Sequence, residues 1–118
     1  GLAAYYGYAL VEGLTQALSG FENHGGGTVL GPDAAPLGRV VSGVGNGTPQ
    51  GRQPADVAYD GAVQGSIIAT YMHGPALARN PELADLLLTR ATGMALEPLE
   101  VPGVAELRAQ RLSGVQLP

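Results

Sequence analysis

Short apolar runs broken by glycine, proline and Asx clusters dominate the chain as far as Tyr71, and helical spacing takes over only beyond it. Residues 5–12 hold Tyr5, Tyr6, Tyr8 and Val11, an aromatic and β-branched run that predicts a strand. Residues 14–21 form a second extended candidate, ending at the polar cluster Glu22-Asn23-His24. After the glycine triplet, Thr28-Val29-Leu30 continues it until Gly31-Pro32-Asp33 turns the chain, so a kinked strand or hairpin is expected. Residues 37–44 alternate glycine with β-branched positions. From Gly45-Asn46-Gly47 to Pro54 the chain becomes a polar loop, expected to be exposed and mobile, with Asn46 as a left-handed turn residue. Asp60-Gly61 reads as a hairpin-turn dipeptide. Residues 62–71 then read as one largely buried strand through Val63, Ile67, Ile68 and Ala69, which puts His73 just past a strand end.

Helix signals are sharper. Asn80 suits an N-cap, Pro81 the first helical position, and Glu82 places negative charge where the helix dipole favours it. Leu83, Leu86, Leu87 and Arg90 follow at helical spacing and Gly93 is the expected stop. Residues 104–112 predict a shorter amphipathic helix after Pro102-Gly103. No internal repeat is visible.

Composition narrows the function classes. The 118 residues are 45% hydrophobic, enough for one modest core and not two. Nineteen glycines and nine prolines mark many turns. Six basic residues, all arginine, against ten acidic ones give a net charge of -4 with no basic cluster, which disfavours nucleic-acid binding. The apolar runs are too short for a spanning helix, so no membrane insertion is expected and a cytoplasmic location is. With no cysteine and two histidines far apart, a thiolate metal site is excluded and zinc is poorly supported; no cofactor or metal is expected on this chain. The abrupt start on Gly1-Leu2-Ala3-Ala4 is what a fragment would show.

The chemistry centres on the two histidines, each placed where an apolar run breaks into glycine: Phe21-Glu22-Asn23-His24-Gly25-Gly26 and Thr70-Tyr71-Met72-His73-Gly74-Pro75. A strand that delivers histidine to its end, then a Gly-Pro turn and a helix, is a common way to present a general base, and His73 fits it. The bland alternative is a surface or turn-stabilising histidine. No cysteine and no serine elbow accompanies it, so its nucleophile must come from outside these residues. Glu22, Asn23 and His24 are candidates for active-site support, although such residues readily satisfy exposed backbone groups in a glycine-rich turn. Tyr71 is a further support candidate whose plain role is to pack its ring while its hydroxyl finds a partner; Arg39 solvates a strand edge.

The ordered blocks Ser19 to Gly26, Pro36-Leu37-Gly38-Arg39-Val40, Gly43-Val44-Gly45-Asn46, Gly65 to Pro75 and Arg79-Asn80-Pro81-Glu82-Leu83-Ala84-Asp85 together resemble one family. The chain looks like the C-terminal half of a class I glutamine amidotransferase domain of the cobyric-acid-synthase type, most similar within it to the glutaminase subunits of lipid II isoglutaminyl synthases. The resemblance implies an α/β, flavodoxin-like three-layer fold with a mixed sheet and flanking helices. Residues 1–118 would be the C-terminal portion of a single domain, with the nucleophile-bearing N-terminal half absent. It also implies a cysteine nucleophile attacking the side-chain amide of glutamine, with His73 as base and then as proton donor to ammonia. The chain alone is then expected to be inactive.

The partner implied is a Mur-ligase-like subunit that binds ATP and magnesium and amidates the D-glutamate α-carboxyl of lipid II. Many class I glutaminases place a glutamate two residues after the histidine; here Pro75 stands there, so the resemblance implies an acidic residue from the ligase instead. Gly27 stands where relatives usually carry arginine. Two alternatives stay open: an amidotransferase domain of cobyric acid or cobyrinate diamide synthesis, and a non-catalytic, partner-binding remnant.

Overall fold

A computed structural model describes residues 3–47, 57–73 and 75–113. Its centre is β1 (Ala3–Ala9), flanked by β2 (Ala17–Glu22) on one side and β3 (Gly38–Ser42) on the other, with β4 (Ala58–Asp60) and β7 (Met72–His73) at the edges. The order is β4-β3-β1-β2-β7, and every pair is antiparallel. The parallel pairs of the expected mixed sheet are therefore not among the described strands. Parallel pairing needs a long crossover, usually helical, and no helix precedes Ala76 among the described residues.

The strand sequences explain the faces. Tyr5, Gly7, Leu18 and Gly20 point into the core, whereas Tyr6 and Tyr8 lie half-buried on the opposite face. Large residues oppose glycines: Tyr5 pairs with Gly20 and Leu18 with Gly7. A Cβ on Gly7 would stand 2.6 Å from the Arg39 carbonyl oxygen, so the bare glycine is what lets β3 close on β1 at its bulge. The core gathers Tyr5, Leu14, Leu18, Leu37, Val40, Met72 and Leu83.

Residues 62–71 depart from the single buried strand expected. They form a hairpin of β5 (Ala62–Gln64) and β6 (Ile67–Ala69), turned at Gly65, whose φ of 58° reverses the chain. Ile67 is 63% exposed as a result. Asp60-Gly61 is correspondingly a corner between two sheets and not a hairpin turn: β4 pairs with β3, and β5 with β6. Asn46 fastens this corner, accepting from Gly61 N–H at 2.8 Å and donating to the Gly61 carbonyl at 3.0 Å. It is buried and has no positive φ; the left-handed residue is Gly45, at 63°. Thr28 to Leu30 form no strand, and Val29 is 98% exposed. Most of the polar loop reaching Pro54 lies outside the described residues.

The helices follow their sequence signals. Beyond α1 (Ala76–Arg79), a single turn with no sequence forecast, α2 runs Pro81–Thr92 and stops at left-handed Gly93; α3 is Val104–Leu112. Asn80 precedes α2 as expected, but its side chain does not cap it. The amide instead bonds the backbone of Ser19, accepting from its N–H at 2.9 Å and donating to its carbonyl at 2.8 Å, which fixes the α1–α2 joint on β2. Glu82 accepts from the Thr15 and Gln16 N–H groups and the Thr15 hydroxyl; burial works against its ionised form, but these donors outweigh it and hold its pKa down.

Candidate active site

His73 ends β7, a strand of two residues at one edge of the described sheet, where among the described residues it pairs with β2 alone, Phe21 opposite His73 and Glu22 opposite Met72. Directly opposed residues share a face, so His73 and Phe21 project together, and Ser19, two residues earlier on β2, joins them. The His73 side chain is exposed, and no side chain hydrogen bonds to its ring among the described residues. Arg79 lies over Phe21, its guanidinium carbon 4.6 Å from the ring centroid while its Nε donates to the Ser19 hydroxyl at 3.3 Å. Burial, with the charge of Arg111 second, lowers the Arg79 pKa.

On the opposite face, at the end of β2, lies a buried polar cluster. Glu22 is 3% exposed and its carboxylate accepts from three donors: Val44 N–H, Gly45 N–H at 3.0 Å and His24 Nε2 at 2.8 Å. His24 Nδ1 faces the Gly26 carbonyl oxygen at 2.9 Å. With an acceptor at each ring nitrogen, only the doubly protonated imidazole satisfies both. Burial alone would lower the His24 pKa, but the bonds to Glu22 and Gly26 outweigh it and raise it.

Tyr71 closes the cluster. Its ring stacks on His24 with centroids 3.9 Å apart and planes 18° from parallel, and its hydroxyl bonds the Thr28 hydroxyl at 2.8 Å. Its backbone N–H donates to Asp60 at 3.1 Å; Asp60 also accepts from the Thr70 hydroxyl at 2.5 Å, and that hydroxyl accepts from Met72 N–H at 3.0 Å. Asp60 is fully buried, and burial raises its pKa. The Tyr5 hydroxyl lies beside Asp60 without a partner of hydrogen-bonding geometry; burial, then the charges of Asp60 and Glu22, drive its pKa far up.

The sequence candidates thus divide. Glu22, His24 and Tyr71 come together in one cluster; Asn23, between two of them, is exposed and forms no side-chain hydrogen bond among the described residues; His73 stands two residues beyond Tyr71 on the strand edge. Asp60, Thr70 and Thr28 were missed as site residues: Asp60 read as half of a turn dipeptide, Thr28 as part of a strand, and Thr70 only as the start of the second histidine segment. No group of three or more acidic or histidine side chains among the described residues is arranged to hold a metal ion. No helix among the described residues is long and apolar enough to cross a membrane.

The family model for CobB/CobQ-like glutamine amidotransferase domains matches residues 3–81, a span that takes in β1 through the start of α2 and both histidine segments. The chain belongs to this family. Two curated relatives agree with it. The chain is similar to the lipid II isoglutaminyl synthase (glutamine-hydrolyzing) subunit GatD of Staphylococcus aureus strain N315, at 36% identity over 79% of this chain and 36% of that protein. It is similar to the subunit of the same name from Streptococcus pneumoniae strain R6, at 32% identity over 86% of this chain and 37% of that protein. The chain therefore spans a little over a third of the length of these curated relatives.

Proposed function

We propose that this chain is the base-bearing part of a glutaminase, in a whole protein that hydrolyses glutamine and passes ammonia to an ATP-dependent ligase. The observation that carries the reading is the family match across both histidine segments, together with an exposed His73 on an edge strand of the described sheet. The 118 residues contain no cysteine, so the nucleophile belongs to chain outside them, as do the strands that would complete a three-layer, flavodoxin-like sheet.

In this mechanism His73 takes the proton of the cysteine thiol as the thiolate attacks the glutamine side-chain carbonyl. Backbone N–H groups hold the oxyanion, and the same imidazole then gives its proton to the departing ammonia. Water, deprotonated by His73, hydrolyses the thioester to glutamate and restores the thiol. Pro75 provides no carboxylate, so an acidic residue of the ligase is proposed to orient the imidazole across the interface. The names of the two relatives support lipid II as acceptor, amidated at the D-glutamate α-carboxyl, above the corrinoid alternative. A Mur-ligase-like partner would bind the ATP and magnesium that activate that carboxyl, and both proteins would work in the cytoplasm.

The test is glutamine hydrolysis by the complete gene product, with and without its ligase, comparing wild type with His73→Ala. Loss of a triad base costs on the order of 10³-fold or more in turnover. Comparable turnover in the variant removes His73 from the mechanism.

A further inference from the structure

His73 is held weakly by its own strand. β7 has two residues, one neighbour among the described strands, and an exposed ring that no described side chain bonds, so the direction of the imidazole is inherited from the backbone just before it. That backbone is fixed at three successive residues. Thr70 is bonded to Asp60, Met72 inserts its side chain into the core against Gly20, and Tyr71 between them is held by its ring stack on His24, its hydroxyl bond to Thr28 and its N–H bond to Asp60.

The geometry points to His24 as a positioning residue for His73, acting through the ring stack on Tyr71. This rests on the glutaminase reading above. Three features make the stack an anchor and not a casual contact. His24 is itself immobilised at both ring nitrogens, by Glu22 and by the Gly26 carbonyl. Glu22 is in turn locked by two backbone N–H groups from the loop after β3. The stack joins the end of β2 to the residue two before His73, so a tilt of the His24 ring moves the edge strand that carries the base. His24 touches no reacting atom in this scheme. It sets where the base stands, and in a bond-forming step a displacement near 1 Å can cost on the order of 100-fold.

The experiment is steady-state glutamine hydrolysis by the complete glutaminase assembled with its ligase, using His24→Leu, Tyr71→Leu, their double variant and Tyr71→Phe, each first shown to be folded by its thermal transition. If His24 positions His73, both leucine variants lose about 10- to 100-fold in kcat with KM within about threefold. The double variant is no worse than the weaker single, because both break the same contact. Tyr71→Phe, which keeps the ring, recovers most of the loss. Wild-type kcat in folded His24→Leu, or losses that multiply in the double variant, overturns the proposal. Should His24→Leu fail to fold, the half-exposed Tyr71 decides the matter: a kcat for Tyr71→Leu equal to that of Tyr71→Phe overturns it. Failure of the glutaminase reading looks different, since His73→Ala would then keep its turnover.

Discussion

Glu22→Gln isolates what the buried carboxylate does, because it removes charge and one acceptor while keeping shape. In the native cluster one carboxylate oxygen serves Val44 N–H and the other serves Gly45 N–H and His24 Nε2. A glutamine side chain has one oxygen. Turned toward Gly45 and His24, it keeps two acceptances and aims its NH₂ at the Val44 N–H; turned the other way, it orphans two donors. The better orientation still leaves one backbone donor unsatisfied, about 1–3 kcal/mol, and weakens the bond to His24 by removing its counter-charge. We expect a total of about 2–4 kcal/mol, a large share of the roughly 5–15 kcal/mol that stabilises a domain. Urea unfolding followed by far-ultraviolet circular dichroism measures it directly, and the thermal midpoint should fall by roughly 4 °C for each kcal/mol. A second signal is the His24 imidazole, whose pKa should drop toward its ordinary value once the carboxylate is gone. A variant within about 0.5 kcal/mol of wild type, with His24 unmoved, would refute the claim that this carboxylate holds the loop after β3 to the end of β2.

The pH dependence has a definite sign. The folded pKa of His24 lies above its unfolded value of 6.5, so its contribution to stability is complete below pH 6.5 and disappears as pH rises through the folded pKa. The stability of wild type should therefore decline over that window relative to His24→Gln, and parallel slopes would contradict it. Gly61→Ala should destabilise by about 2 kcal/mol or more: its φ is 78°, and an added Cβ would stand 2.8 Å from Leu37 Cβ and collide with the Ala69 carbonyl. An unfolding midpoint equal to wild type would show that the corner after β4 relaxes more easily than its geometry indicates.

Local signals were legible and tertiary ones were not. α2 and α3 could be bounded because Pro81, Gly93 and Gly103 act on their own neighbours, whatever surrounds them, whereas Asn80 marks the start of α2 without capping it. The first three strands could be located from their extended apolar runs, although β2 starts only at Ala17 because the Thr15 and Gln16 N–H groups before it are taken by the Glu82 carboxylate. The hairpin of β5 and β6 was misread because Ile67, Ile68 and Ala69 look buried as a run, while the reversal depends on Gly65 alone. The two-residue β7 and one-turn α1 are too short to carry a period. Within the candidate site, Glu22 and His24 stood out as a polar block at a strand end. Asp60 did not, since its role comes from Thr70 and Tyr71 folding back over it.

Helix α3 is attached through a single long side chain and not through a buried face. It buries none of its residues, and Arg108 ties it down by donating to the carbonyl oxygens of Arg79 and Ala17, the latter at 2.6 Å. The stretch from Met94 to Gly103 that leads to it is exposed throughout. Its opening is expected to be uncoupled from that of the sheet, with amide protons of α3 exchanging with solvent at a local rate while those of β1 wait for global unfolding. A protease that nicks the exposed stretch between α2 and α3 should release the helix and leave the histidine edge standing.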